Sequence, residues 1–512
     1  PAIVHRRFLV LEVTYASVRT ETFSRGKMLM SIEQVPHGWT AVEEDDTDRE
    51  DASPMSHAPA GSSGVGAGQE QCEISLLGDW YDCDVEPGDV VHVLFPPSEA
   101  DDDDPRAGDE TSSRHLVVDN ASGRLLVVHP DILVSPTKVA DTVLCARKAV
   151  LQSRLASDAS KSKAAVLGNL KHELFETSLL EAATATSAAR SFASSGNAAA
   201  LAWRGDRGTE PLTSQRMVKL VDRIVLSQLE ALYGADLDED TARGELLAVS
   251  GPILAWHGAF LAKPNANARN GGFATLGSDE TPAVRVSVSR VLATEDDVWS
   301  PVLGLKGIMD ATVEAFVQPL VRATGGRPLV MPVEVKTGKR IGEARIGHRA
   351  QVMLYTLLLR MRYGNEASTS GLLVYTSAEG LHTELVSPAA AELRALVLAR
   401  NRHASGMAKI GRVGLVGRNE GGQGEQGGAA LPPVIRRARD CGMCFQNSEC
   451  MLYHRAVEGG DEESSGLERG TFDSKVGHLS EAHLAFFASW DRTIDLEAKI
   501  GEQVGGRDPR YA

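Results

Sequence analysis

Residues 304–336 read GLKGIMDATVEAFVQPLVRATGGRPLVMPVEVK, and the two ends of this stretch decide how the chain folds. Successive side chains of a strand alternate between its faces. At the first end Ile308, Asp310 and Thr312 share one face, and at the second Glu334 and Lys336 share a face while Val333 and Val335 point the other way. If the two strands are neighbours, Asp310, Glu334 and Lys336 converge. Two carboxylates hold a hard divalent cation through oxygen and leave positions for water and a phosphate. A lysine beside them orients the attacking water and offsets charge growing on the phosphate. By itself the pattern is weak, because Val-Glu-Val-Lys is also what an ordinary half-exposed strand looks like.

Outward from that stretch, AVRVSVSRVLA (283–293) adds a third strand, HRAQVMLYTLLLRMRYG (348–364) an amphipathic helix, SGLLVYT (370–376) a strand and AAAELRALVLARN (389–401) a helix. That order predicts a mixed α/β core. Three helices are expected upstream, over 135–155, 163–183 and 214–234, the first opening on Ser135-Pro136. Nearer the start, RFLVLEV, ISLLGDW, DVVHVLF, RHLVVD and RLLVVHP are five short β-like runs, which suit a small barrel of OB type. The Ser53–Gly68 segment reads as a disordered insertion within it, and Gly421–Gly428 as a flexible one. The expected division is an OB-like barrel over 1–134, an α/β core over 135–456 and a C-terminal segment over 457–512.

At 512 residues the chain exceeds one ordinary core. Its net charge of -16 speaks weakly against a nucleic-acid partner, but much of it sits in the runs Glu43–Asp51 and Asp101–Asp104, which read as solvated loops. No apolar run approaches the roughly 18–20 residues that span a bilayer. No signal peptide opens the chain, so a soluble intracellular protein without a membrane partner is expected. Because the first residue is Pro1, the chain reads as a piece of a longer polypeptide.

Further residues bear on the carboxylate pair. Gln351 and Tyr355 lie four apart, on one face of the helix after the Glu-x-Lys strand. His172 lies one turn after Gly168, whose small size permits close approach. Taken singly, His172 reads as a packed or solvent-facing imidazole, and Gln351 and Tyr355 as helix surface; their ordered occurrence is harder to explain that way. Of the six cysteines, Cys441, Cys444 and Cys450 form C-x2-C-x5-C. Three thiolates are one short of a tetrahedral zinc site or a cubane cluster, and Cys145 supplies the fourth; spacing leaves zinc and iron–sulfur both open. Cys72 and Cys83 read as barrel residues.

The order His172 in GNLKHELF, Asp310 in GLKGIMDATV, Glu334 and Lys336 in VEVKTGK, then Gln351 and Tyr355 in HRAQVMLY resembles the RecB-like nucleases of the PD-(D/E)xK superfamily. The resemblance implies a restriction-endonuclease-like α/β fold with a mixed-sheet core. It further implies that His172, Asp310, Glu334 and the carbonyl of Val335 coordinate a catalytic Mg2+ or Mn2+, that Lys336 is the catalytic lysine, and that Gln351 and Tyr355 support the site and its DNA contacts. One upstream cysteine plus a late C-x2-C-x5-C resembles the 4Fe–4S nucleases, which implies that Cys145, Cys441, Cys444 and Cys450 hold a 4Fe–4S cluster as a staple. The phrases VEPGDVVHV, WSPVLGLKGIMDATV and CGMCFQNSECMLYHRA are closest to the branch whose nuclease is fused to a replication helicase.

That branch implies cutting of single-stranded DNA flaps during Okazaki-fragment processing and resection of broken ends. It also implies replication protein A as a partner and residence in the nucleus, with the mitochondrion as a second compartment. No G-x-x-x-x-G-K-[ST] loop occurs, so the helicase module is expected outside these residues. Where the pattern has a lysine or asparagine before the catalytic Asp, this chain has Met309. Arg147, Lys148, Arg340 and Arg349 are candidates for contact with the DNA backbone. A different RecB-like exonuclease and a catalytically idle DNA-binding scaffold are the rival readings.

Overall fold

The computed structural model describes residues 4–19, 23–33, 71–96, 114–155, 162–195, 212–261, 274–278, 281–319, 326–337, 343–410, 431–468 and 470–505. Both acidic runs, the Ser53–Gly68 and Gly421–Gly428 segments and Arg340 lie outside them. The chain divides into two compact units at Pro130/Asp131.

The first unit is a six-stranded mixed sheet in the order β5-β3-β2-β1-β4-β6. Its strands are β1 (His5–Arg19), β2 (Phe23–Glu33), β3 (Gln71–Leu76), β4 (Val90–Leu94), β5 (Arg114–Val118) and β6 (Leu125–Val128). All neighbours run antiparallel except β3 and β5. Alternation sets the buried face: Phe8 and Val10, Cys72, Ile74 and Leu76, Val91 and Val93, Leu126 and Val128 all point inward. The sequence reading expects five strands here and misses β2. Cys83 is also buried, its carbonyl accepting a hydrogen bond from Nζ of Lys27 at 2.5 Å.

The second unit holds helices α1 (Pro136–Arg154), α2 (Lys163–Ser195), α3 (Ser214–Ser227), α4 (Leu229–Gly234) and α5 (Glu239–Phe260). Strands β7 (Ala274–Ser278), β8 (Thr281–Ser300), β9 (Leu305–Pro319) and β10 (Leu329–Lys336) follow. Then come α6 (Glu343–Tyr363), β11 (Gly371–Ser377), β12 (Gly380–Val386), α7 (Ala390–Ile410), α8 (Ala438–Gly442), α9 (Asn447–Ala456), α10 (Glu462–Ser465), α11 (Thr471–Val476) and α12 (Glu481–Gly505). The sheet order is β12-β11-β10-β9-β8-β7. Among the described strands of this sheet β10 and β11 form the parallel pair, and α6 makes the crossover between them. The molecule is therefore mixed α/β with two mixed sheets.

The helix expected over 214–234 is two helices, α3 and α4, because Gln228 leaves helical geometry at φ -115, ψ 21. α5 was not anticipated. Its apolar side, Leu246, Val249, Ile253, Trp256 and Phe260, packs into one core with Leu170, Leu174 and Phe175 of α2 and with Val333 and Val335 of β10. With the odd-numbered valines of β10 committed to that core, Glu334 and Lys336 are turned to the other face of the strand.

Candidate metal centre and cysteine pocket

β9 and β10 run antiparallel, with Val333 opposite Ala311 and Pro332 opposite Thr312. One residue further, Asp310 and Glu334 stand side by side. The amide of Val335 donates to Oδ2 of Asp310 at 2.5 Å, which fixes that carboxylate against the end of β10. Nδ1 of His172, on α2, lies 3.4 Å from the same Oδ2. Lys336 Nζ donates to Oε1 of Glu334 at 2.6 Å. The structure thus sets His172 against Asp310 and Lys336 against Glu334 where β9 and β10 pair. α2 approaches closely here, since a Cβ on Gly168 would stand 3.2 Å from Oγ1 of Thr337.

Glu334 is 4% exposed and its Oε2 has no hydrogen-bond partner. Burial first, and then the Asp310 charge, push its carboxyl up to about 7 against the pull of Lys336 and His172. An acid so placed lacks a positive counterpart on its free oxygen. Gln351 and Tyr355 both face inward from α6. Nε2 of Gln351 donates to Oγ1 of Thr137 at 2.6 Å, tying α6 to α1, while its own Oε1 is a buried acceptor without a donor. The Tyr355 hydroxyl donates to the carbonyl of Ile308 at 2.9 Å, two residues from Asp310. Tyr355 is thus held as a neutral phenol, its pKa raised by burial and by Glu334 and Asp310 nearby.

A fifth residue, not singled out in the sequence, completes the group. Glu176 lies one turn beyond His172 on α2 and is buried. Burial and the neighbouring Asp310, with Glu295, push its carboxyl up to about 9. Among the described residues, His172, Glu176 and Asp310 bring one ligand atom each within 4.8 Å of the others. The signal was available as an i, i+4 pair, His172 and Glu176, of ligand-forming types on one helical face. Glu295 comes from β8, whose register against β9 shifts twice just before it, between Val288 and Arg290 and between Val291 and Ala293. Such bulges bend a strand and re-aim its side chains. The donor set, two buried oxygens without partners beside an imidazole and a further carboxylate, fits a divalent cation.

The four cysteines of the second unit are free thiols lining one cavity with Arg147, Lys148 and Phe445. Cys145 interrupts α1 with an extended φ of -154 and ψ of 102, a kink at the cysteine itself. Cys441, Cys444 and Cys450 come from α8, the turn after it and α9. Nε of Arg147 donates to Sγ of Cys450 at 3.1 Å, and Nη1 and Nη2 grip Glu458 at 2.6 and 3.0 Å. Burial pushes the Cys450 thiol up, against the pull of Arg147. A cationic donor on one sulfur and four free sulfurs around one cavity fit a thiolate-bound cluster or metal.

Arg147 corrects an expectation. It is 1% exposed, so it is not a contact for a DNA backbone; its charge is consumed by Glu458 and Cys450. Arg349 likewise pairs with Glu384. The ammonium of Lys148 stands 4.8 Å over the ring of exposed Phe445.

A family model described as DNA replication factor Dna2 matches residues 65–315. The chain is 30% identical over 431 residues to the DNA replication ATP-dependent helicase/nuclease JHS1 of Arabidopsis thaliana, covering 84% of this chain and 27% of that protein. Against DNA2 of Gallus gallus it is 28% identical over 440 residues, covering 84% of this chain and 38% of the other. Against DNA2 of Homo sapiens it is 27% identical over 441 residues, with 84% and 36% covered. The chain thus spans between 27% and 38% of the length of these relatives.

Proposed function

We propose, for a chain that the Dna2 family model matches over residues 65–315 and that is similar to DNA replication helicase/nucleases over 84% of its length, a divalent-metal-dependent endonuclease acting on single-stranded DNA flaps. The observation that carries this reading is Asp310 beside Glu334 on adjacent strands, with His172 against one and Lys336 against the other. In this reading the α/β core is of the RecB type. His172, Asp310 and Glu334, with the carbonyl of Val335, would hold Mg2+ or Mn2+. Such an ion, when bound, polarises a phosphate and lowers the pKa of water.

The chain's own groups do the rest. Lys336, on the same face of β10 as Glu334, places a positive donor where charge develops on a phosphate oxygen, and one such donor is worth roughly a hundred- to a thousandfold in rate. Tyr355 holds the Ile308 carbonyl and so the part of β9 that carries Asp310. Gln351 holds α6 to α1 and keeps one buried acceptor free to receive a donor. The site is built from strand and helix, which suits in-line attack at a phosphodiester, where placement supplies most of the catalysis.

Cys145, Cys441, Cys444 and Cys450 would hold a 4Fe–4S cluster, joining α1 to α8 and α9 as a staple. The six-stranded unit would act as an OB-like grip on the strand. Within the cell the reading gives a nuclear enzyme of Okazaki-fragment processing and end resection, with replication protein A as partner and a helicase module elsewhere in the natural polypeptide. The test is cleavage of an end-labelled flap in Mg2+ or Mn2+, comparing wild type, Asp310→Asn and Lys336→Ala. Cutting within the unpaired arm by wild type, with a loss of about a thousandfold in Asp310→Asn, is expected. Equal cutting by all three would reject the assigned site.

A further inference from the structure

One carboxylate at the centre is used by no step above. Glu176 is 6% exposed, yet its Oε1 has no hydrogen-bond partner and its side-chain hydrogen bond is to another acid, Glu295. Burying an acid without a cation or donor carries a large desolvation cost. A chain gains nothing in packing from such an arrangement that an apolar side chain would not give better. Glu176 stands four positions after His172 along α2, so the two side chains leave the helix on one face, toward Asp310. Glu334, by contrast, spends Oε1 on Lys336.

We propose that Glu176 is a direct ligand of the divalent cation, forming with His172 and Asp310 a set of one nitrogen and two carboxylates on the α2 side of the centre. Asp310 then lies between Glu176 on α2 and Glu334 on β10, shared by both sides. The inference rests on reading this place as a cation site. An imidazole nitrogen suits a first-row transition ion better than Mg2+, so Mn2+ is the probe of choice.

The experiment titrates Mn2+ into the full chain without DNA, following the free-ion signal by electron paramagnetic resonance, for wild type, Glu176→Gln, Asp310→Asn and the remote control Glu181→Gln. Thermal melting with and without Mn2+ accompanies each titration. Glu176→Gln keeps the shape and removes the charge, so the metal-free variant should melt no lower than wild type. It should bind Mn2+ at least tenfold more weakly and lose most of the Mn2+-induced rise in melting temperature. Mn2+ affinity within twofold of wild type in Glu176→Gln, with affinity lost in Asp310→Asn, would overturn the inference and leave the proposed function standing. Unchanged affinity in both variants would overturn the two together. A Glu176→Gln chain that melts well below wild type without metal would make the acid a structural partner of Glu295, which also overturns the inference.

Discussion

At the scale of single residues, the account turns on charges that are buried and only partly answered. Asp310, Glu334 and Lys336 were legible because strand periodicity puts them on predictable faces, and β9 and β10 do pair as neighbours. Glu176 is marked only by its i, i+4 spacing from His172, and nothing in KHELFE tells which acid is buried until α2 is packed. Arg147 failed for the same reason: its partner Glu458 lies about three hundred positions away. Replacing Arg147 by Gln should strip Cys450 of its cationic donor, leave Glu458 uncompensated and cost roughly 3–5 kcal/mol. Urea unfolding followed by circular dichroism measures it, and a loss below 1 kcal/mol would contradict the pairing. A second site is Gly304, at φ +59, where an added methyl group would collide with the Arg400 guanidinium. Gly304→Ala should destabilise by about 2–3 kcal/mol in the same assay, because Arg400 is fully buried and bonds the Gly304 and Ile132 carbonyls.

At the scale of elements, most strands and helices follow their period, and two exceptions, one in each unit, have physical causes. β2 carries Met28 and Met30 where strands favour branched or aromatic side chains, which weakens its strand signal in the sequence. α5 contains Gly251-Pro252, which reads as a break; the helix continues because its buried side is almost unbroken from Ala242 to Phe260. Two histidines fasten helices together as neutral rings. His257 on α5 meets the Ser178 hydroxyl of α2 at 2.9 Å, and His403 on α7 meets Thr142 and Ser153 of α1. Burial lowers His257 to about 3 and, with Lys138 and Arg400 adding to it, His403 to about 4. A depressed folded pKa means stability that is present above about 6.5 and is lost as pH falls toward those values. Each ring should therefore cost about 1.4 kcal/mol per pH unit below 6.5, down to about 4. Melting temperature recorded from pH 7 to pH 4.5 should fall, and His403→Gln should fall less steeply. A parallel fall in wild type and variant would remove His403 from the explanation.

At the scale of the whole second unit, α1 touches both α6 and the cysteine cavity. Its Thr137 accepts from Gln351 of α6, and its Cys145, eight residues on, lines the cysteine cavity. The sequence made the cysteine spacing plain, but the kink that aims Cys145 is a tertiary choice that helical periodicity hides. Replacing Cys441 by Ser should lower the bound iron of an anaerobic preparation and reduce the melting temperature by several degrees, roughly 5 °C. Full iron content and an unchanged melt would separate the cysteines from any cluster. Among the described residues no helix is long and apolar enough to cross a membrane. The proposed catalysis depends on one ion lying between β9 and β10. The most direct measurement is an anomalous difference map from crystals soaked in Mn2+. The account predicts a peak within about 2.5 Å of a carboxylate oxygen of both Asp310 and Glu334. A peak that touches only one of them, or none at that place in crystals with Mn2+ bound elsewhere, would contradict it.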